Sequence, residues 1–142
     1  DVEAVGFLAP PWCTALAVDY SDAPSLDAAE GSIHLASIST SEIYRSAHLI
    51  IFPAYFNPQD SEAKRREHLA HEFVHLALAP LTDWARDRLV GMIEDGTQLH
   101  KMANAELLAR VESGTQDLAR SVMRHQGRLL EGARLKFQRG TP

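Results

Sequence analysis

Two histidines and a glutamate stand at a spacing that can hold and use a metal ion. The segment His71-Glu72-Phe73-Val74-His75 has the pattern H-E-x-x-H. In a helix, residues four apart lie one turn above each other, so both imidazoles project from one face and can bind the same ion. Glu72 leans toward the same side and can take a proton from a metal-bound water. Two imidazoles and one carboxylate leave a fourth position open on zinc, so the pattern predicts a catalytic Zn²⁺ site.

A helix must carry this motif, and the sequence around it is suited to one. Asp60 or Ser61 can cap its start, and no Gly or Pro follows until Pro80, which we expect to end it. The tail after about Gly132 is expected to fray. Three helices are predicted in all, at about residues 61–78, Leu81–Ile93 and Ala103–Leu130.

The N-terminal half reads as short strands separated by turns. The strand candidates are Trp12–Val18, Ser32–Ile38 and Ala47–Pro53. Strands first and helices afterwards indicate an α+β fold, in which a small antiparallel or mixed sheet packs on about three helices. A length of 142 residues fits one domain over residues 1–142.

The stretch His68-Leu-Ala-His71-Glu72-Phe-Val-His75-Leu-Ala-Leu resembles the active-site helix of the zincin metallopeptidases. Ala47–Pro53 is similar to the strand that lines the substrate cleft in such enzymes. No G-x-x-H follows His75, so the metzincin branch is excluded and the third ligand must come from elsewhere. The resemblance is to a minimal, gluzincin-like, single-domain type found in prokaryotes and phages. It implies a zinc-dependent endopeptidase that acts on a peptide or protein, with Glu72 as general base.

In gluzincins the third ligand is a glutamate on a later helix, and Glu112 is our preferred candidate. It begins an E-x-x-x-x-x-L-A stretch similar to one in small zincins, and an apolar flank at Leu108, Val111 and Leu118 can pack its helix against the motif. Glu94 has nearly the spacing of thermolysin-like enzymes and is the second candidate. Asp95, His100 and Glu106 also carry side chains that could serve as the third ligand.

Residues outside the motif are harder to assign from sequence. His100, His125, Tyr44 and Tyr55 are of the types that stabilise an oxyanion, and Asp117 is a weak candidate for orienting a bound histidine. A second possible function is that of a non-catalytic zinc-binding structural or interaction protein of phage or prophage type that retains the fold. Chelation should unfold such a protein, whereas it should only inactivate an enzyme.

Composition excludes several further classes of protein. Residues 1–100 carry 6 Lys/Arg against 15 Asp/Glu, and residues 101–142 carry 8 against 4. The C-terminal arginines are spread along the chain without aromatic neighbours, so no nucleic-acid partner is expected. Apolar runs stay far short of the roughly 20 residues that span a bilayer, and no membrane partner is expected. The single cysteine, Cys13, cannot form an internal disulfide, and a cytoplasmic location is our default. The oligomeric state stays open.

Overall fold

In the described part of the chain, three short strands come first and two long helices follow. The computed structural model describes residues 8–23, 35–41 and 45–139, with side chains as far as Gln126. The strands are β1 (Ala15–Tyr20), β2 (Ala36–Ser41) and β3 (Ser46–Ile51), and a 3-10 turn follows at Pro53–Phe56. The helices are α1 (Glu62–Ala85) and α2 (Gln98–Arg139), joined through a π-helical turn at Arg86–Val90. The predicted α+β class is confirmed.

The sheet is mixed, with the strand order β1-β3-β2. β1 runs parallel to β3, with Ala15 beside Ser46, and β2 runs antiparallel to β3, with Ala36 beside Ile51. β3 therefore lies in the centre with both of its edges hydrogen-bonded. Each predicted strand overlaps an observed one, but the ends differ by one to four residues, and residues 32–34 of the second prediction lie outside the described part.

The core lies between the sheet and α1. Every second residue of β3 faces inward, because side chains alternate along a strand, and Ala47, Leu49 and Ile51 are all buried. Leu69 and Phe73 of α1 are fully buried in the same cluster, at the one-turn spacing that places them on a single helical face. This packing fixes the helix that carries the H-E-x-x-H motif against the sheet.

Two helices stand where three were predicted, and the difference arises at Pro80. Pro80 was expected to end the first helix, yet it lies inside α1. A proline inside a helix loses one backbone hydrogen bond and costs about 3 kcal/mol. Buried Ala79 anchors the chain beside it, and the Thr82 hydroxyl donates to the Leu78 carbonyl at 3.0 Å. The predicted helix Leu81–Ile93 is therefore the end of α1 followed by the π-helical turn.

The last helix is longer than predicted, and it packs through other residues than expected. It contains Gly114, Gly127 and Gly132, and its backbone continues to Arg139, while residues 140–142 lie outside the described part. Leu108 and Leu118 were expected to pack against α1, but they are 45% and 44% exposed. The buried residues of α2 are instead the small Thr115 and Ala119, and Ala119 belongs to the same core cluster as Leu69 and Phe73 of α1. Small residues let the two helices approach closely.

Within the described residues, neither helix is long and apolar enough to cross a membrane.

Two glycines, Gly91 after the π-helical turn and Gly114 inside α2, should respond in opposite ways to substitution by alanine. A Cβ on Gly91, which closes the π-helical turn, would lie 2.6 Å from the Asp87 carbonyl oxygen, whereas a Cβ on Gly114 would meet nothing within 4 Å. We expect Gly91→Ala to lower the free energy of unfolding by about 1–3 kcal/mol and Gly114→Ala to raise it by about 0.5–1 kcal/mol. Urea denaturation measures both, and effects of the same sign would contradict the geometry.

Candidate metal centre

Three side chains from the two helices meet at one point. The Nε2 atoms of His71 and His75 lie 3.0 Å apart. Oε1 of Glu112 lies 2.9 Å from Nε2 of His71, and Oε2 lies 3.1 Å from Nε2 of His75. One ligand atom from each residue falls within 4.8 Å of the others, so this group could hold a metal ion.

The donor set and its spacing suit a small divalent cation. Bonds of about 2.0–2.1 Å in a tetrahedral site place neighbouring donor atoms about 3.3 Å apart, close to the separations in this group. Metal binding also needs neutral imidazole. Burial lowers the pKa of His71 and so favours that form, although Glu112 opposes the shift.

The two helices place these ligands by simple geometry. His71 and His75 are one turn apart on α1, and α2 runs back antiparallel and brings Glu112 opposite them. Burial differs sharply across the group, since the side chains are 10% exposed for His71, 27% for His75 and 62% for Glu112. The histidines are therefore held by the core, and the carboxylate closes the site from the solvent side.

The remaining third-ligand candidates lie elsewhere. Asp95 places a carboxylate oxygen 3.4 Å from Nδ1 of His100, and Glu106 accepts a hydrogen bond of 2.7 Å from Arg110 within α2. Glu94 precedes α2, where its carbonyl accepts a hydrogen bond from the Thr97 hydroxyl. Among the described residues, the group around His71 and His75 contains none of these four candidates.

Glu72 lies beside the group without belonging to it. Burial raises the pKa of Glu72 to about 8, the nearby Glu112 carboxylate adds to the rise, and a hydrogen bond from the backbone N–H of Ile38 opposes it. A cation bound at the histidines would also oppose the rise, since positive charge favours the carboxylate form. Glu72 is thus held in a fixed place where its protonation depends on the charge of its neighbours.

The site opens into a cleft of ≈ 410 Å³ between α1 and β2. One wall is residues 36–40 of β2, and His71, Glu72 and His75 lie at its floor. Farther along, the lining continues through Ala79, Thr82 and Asp83 of α1 and reaches Arg86 at the start of the π-helical turn. The expectation that Ala47–Pro53 lines the cleft is wrong, because that segment is the central strand β3 and its backbone is paired on both sides.

The three candidates for oxyanion stabilisation that the structure describes do not line this cleft. Tyr55 is buried in the core, and His125 is exposed farther along α2. His100 faces Asp95, and Tyr44 lies outside the described residues. Sequence reasoning missed Arg86, a cation that lines the cleft. Arg86 follows His75 by eleven residues, about three helical turns, which places the two on the same helical face. That spacing is informative only once the helix is known to continue through Pro80.

Removing the carboxylate ligand should weaken metal binding. We expect Glu112→Gln to lower the affinity for Zn²⁺ by about 100-fold or more, since even residues that only support a ligand contribute 10–100-fold. Competition with a chromophoric chelator measures the affinity. Glu106→Gln is the matched control, because it makes the same change on an exposed turn of α2. Equal affinities for the two variants would exclude Glu112 as a ligand.

Comparisons with known proteins give no information about this site. No protein-family model matches this chain, and no curated protein or solved structure shows significant similarity to it. What the chain does must therefore be inferred from the three ligand side chains, the adjacent Glu72 and the cleft beside them.

Proposed function

We propose that this protein is a zinc-dependent endopeptidase of the minimal gluzincin-like type. The observation that carries the proposal is that His71, His75 and Glu112 converge beside Glu72 at the floor of a cleft whose wall is a sheet strand. Two imidazoles and a carboxylate suit zinc, a borderline-soft ion that binds nitrogen and oxygen donors. A bound zinc would polarise the peptide carbonyl and lower the pKa of the attacking water.

Glu72 is the proposed general base. Its carboxylate is fixed by the N–H of Ile38 and lies next to the ligand group, so it can accept a proton from the attacking water and pass it to the leaving amine. Burial raises the pKa of Glu72 in the metal-free site, and a cation bound at the histidines would lower it again, which favours the carboxylate form that a general base needs.

β2 is the strand that would align the substrate. The backbone N–H of Ile38 points away from β3, toward Glu72. Because hydrogen-bonding groups alternate in direction along an antiparallel strand, the backbone N–H and C=O groups of Ala36, Ile38 and Thr40 all point away from β3. In the described part of the chain no strand pairs with this outer edge. An extended peptide that adds to it would run along the cleft, with its backbone held by hydrogen bonds.

Glu72→Gln should abolish hydrolysis while the protein keeps its fold and its metal. The amide matches the carboxylate in size but cannot accept a proton, so we expect a loss of about 10²–10⁴-fold in kcat. The assay is cleavage of a mixture of fluorogenic peptides by zinc-loaded protein, with bound zinc measured in parallel. Glu62→Gln, at the exposed start of α1, is the control and should keep native activity. Full activity of Glu72→Gln would rule out the mechanism.

Chelation should separate the enzyme from a protein in which zinc is purely structural. The structural role is favoured by one observation, namely that the ligands come from both helices, so a bound ion would tie α1 to α2. The apolar core around Leu49, Leu69 and Phe73 is built without any of the three ligand side chains. We therefore expect EDTA to abolish hydrolysis and lower Tm, while circular dichroism retains the helical signal at 25 °C. Loss of that signal would support the structural role.

A further inference from the structure

A second cleft adjoins the metal centre and is bounded by α2. It has a volume of ≈ 460 Å³ and shares His75 and Glu112 with the first cleft. Its other lining residues are Thr82 and Arg86 on one wall and Leu108, Ala109 and Val111 of α2 on the other. A peptide whose scissile bond lies at the ligand group can therefore place a nearby side chain in this second cleft.

Arg86 is the residue that gives the second cleft its charge. Among the described residues that line it, the ionisable side chains are those of His75, Arg86 and Glu112. Under the proposed function His75 and Glu112 are zinc ligands, so neither is available to pair with a charge on the substrate. The Arg86 guanidinium then remains as the group in this lining that can attract a substrate charge, and it attracts a negative one.

The Arg86 guanidinium has hydrogen-bonding capacity to spare. It carries five N–H donors. Among the described residues its side chain makes one hydrogen bond, in which Nη1 donates to Oδ1 of Asp83 at 3.2 Å. The two side chains are 44% and 46% exposed, and an exposed pair of this kind is weak. A carboxylate from a substrate can therefore bind the remaining donors or replace Asp83 at little cost.

The bond to Asp83 also sets how far the guanidinium lies from the metal centre. It places the Arg86 side chain one turn back along α1, in the direction of His75. Asp83 follows His75 by eight residues, which is about 12 Å of helix at 1.5 Å per residue. An extended peptide covers that distance in about three to four residues. A side chain that contacts Arg86 therefore belongs to a residue within about four positions of the scissile bond.

The wall opposite Arg86 favours glutamate over aspartate. Leu108 of that wall is 45% exposed, and Ala109 and Val111 continue its apolar surface. A glutamate side chain has one methylene more than aspartate, and burying methylenes against an apolar wall favours binding. The second cleft thus combines an apolar surface for the stem of a glutamate with a cation for its carboxylate.

We propose that this protein selects acidic peptides, because a glutamate side chain of the substrate enters the second cleft and pairs with Arg86. This inference rests on the proposed function, since it assumes that a peptide lies across the metal centre. Arg86 determines specificity in this assignment and takes no part in the chemistry. Asp83 competes with the substrate for the guanidinium and so limits the strength of the selection.

Peptide affinity tests the assignment without any need for hydrolysis. The probes are fluorescein-labelled versions of a peptide that the native protein cuts, in which Glu, Gln or Lys is scanned from four positions before the bond to four after it. Zinc-loaded Glu72→Gln holds these peptides uncut, and fluorescence anisotropy measures their affinity. At one position we expect Glu to bind about 5–10-fold more tightly than Gln, and Lys more weakly than Gln.

Three variants in the Glu72→Gln background assign this preference to Arg86. Arg86→Gln should bind the Glu and Gln peptides equally, and Arg86→Glu should prefer the Lys peptide. Asp83→Asn should strengthen the preference for Glu, because it frees the guanidinium. Arg110→Gln is the matched control, since it breaks a similar exposed pair with Glu106 on α2 and should keep the native preference. Tm measured for each variant checks that the fold is kept.

The outcomes separate this inference from the proposed function. If Arg86→Gln keeps the preference for Glu, or if Arg110→Gln loses it equally, the role of Arg86 is wrong while the peptidase stands. An absence of any preference within four positions of the bond would also overturn it. If the native protein cuts no peptide, the proposed function fails and this inference fails with it. Cleavage by the native protein, with a Glu preference lost in Arg86→Gln and kept in Arg110→Gln, supports both.

Discussion

The register between α1 and α2 is the constraint on which the site depends. His71 and His75 are set on one face of α1 by the helical repeat alone, but Glu112 reaches them only because α2 lies antiparallel at one particular offset. Buried Thr115 and Ala119 allow the helices to approach closely, and Glu67 bonds to both Gln116 and Arg120 one turn away from the ligands. If α2 were shifted along α1 by one helical turn, Glu112 would lie opposite different residues and would no longer contact His71 and His75.

This register places opposite demands on neighbouring residues. The interface must be apolar and tight enough to hold two long helices together, yet it must also carry the two imidazoles and the Glu112 carboxylate of the ligand group. The structure meets both demands by confining polar groups to one stripe on each helix and by leaving the larger apolar residues of α2, such as Leu108 and Leu118, at the margin. The burial that raises the pKa of Glu72 comes from its place between α1 and β2.

Sequence patterns predicted those features of the fold and the site that depend on residues close together in the chain. The α+β class, the three strands and the helix carrying His71 and His75 follow from periodicity, and Glu112 was preferred over its rivals on the basis of a family-like stretch. Pro80 was misread, because its cost of about 3 kcal/mol is outweighed by packing that sequence does not display. The cleft strand was misassigned, since the order β1-β3-β2 depends on pairings between distant segments. The bond between Gln116 and Glu67 was overlooked because the two residues lie 49 positions apart along the chain.

The continuation of α1 through Pro80 also sets the length of the cleft wall that the helix forms. A helix rises about 1.5 Å per residue, so the cleft-lining residues from His71 to Arg86 extend for about 22 Å along one continuous axis. The lining residues of β2 extend for about 13 Å from residue 36 to residue 40, at a rise of roughly 3.3 Å per residue. The two walls together match an extended peptide of about five to seven residues. Had the helix stopped at Pro80, the wall would have been shorter by about 10 Å, leaving room for only a tripeptide or tetrapeptide.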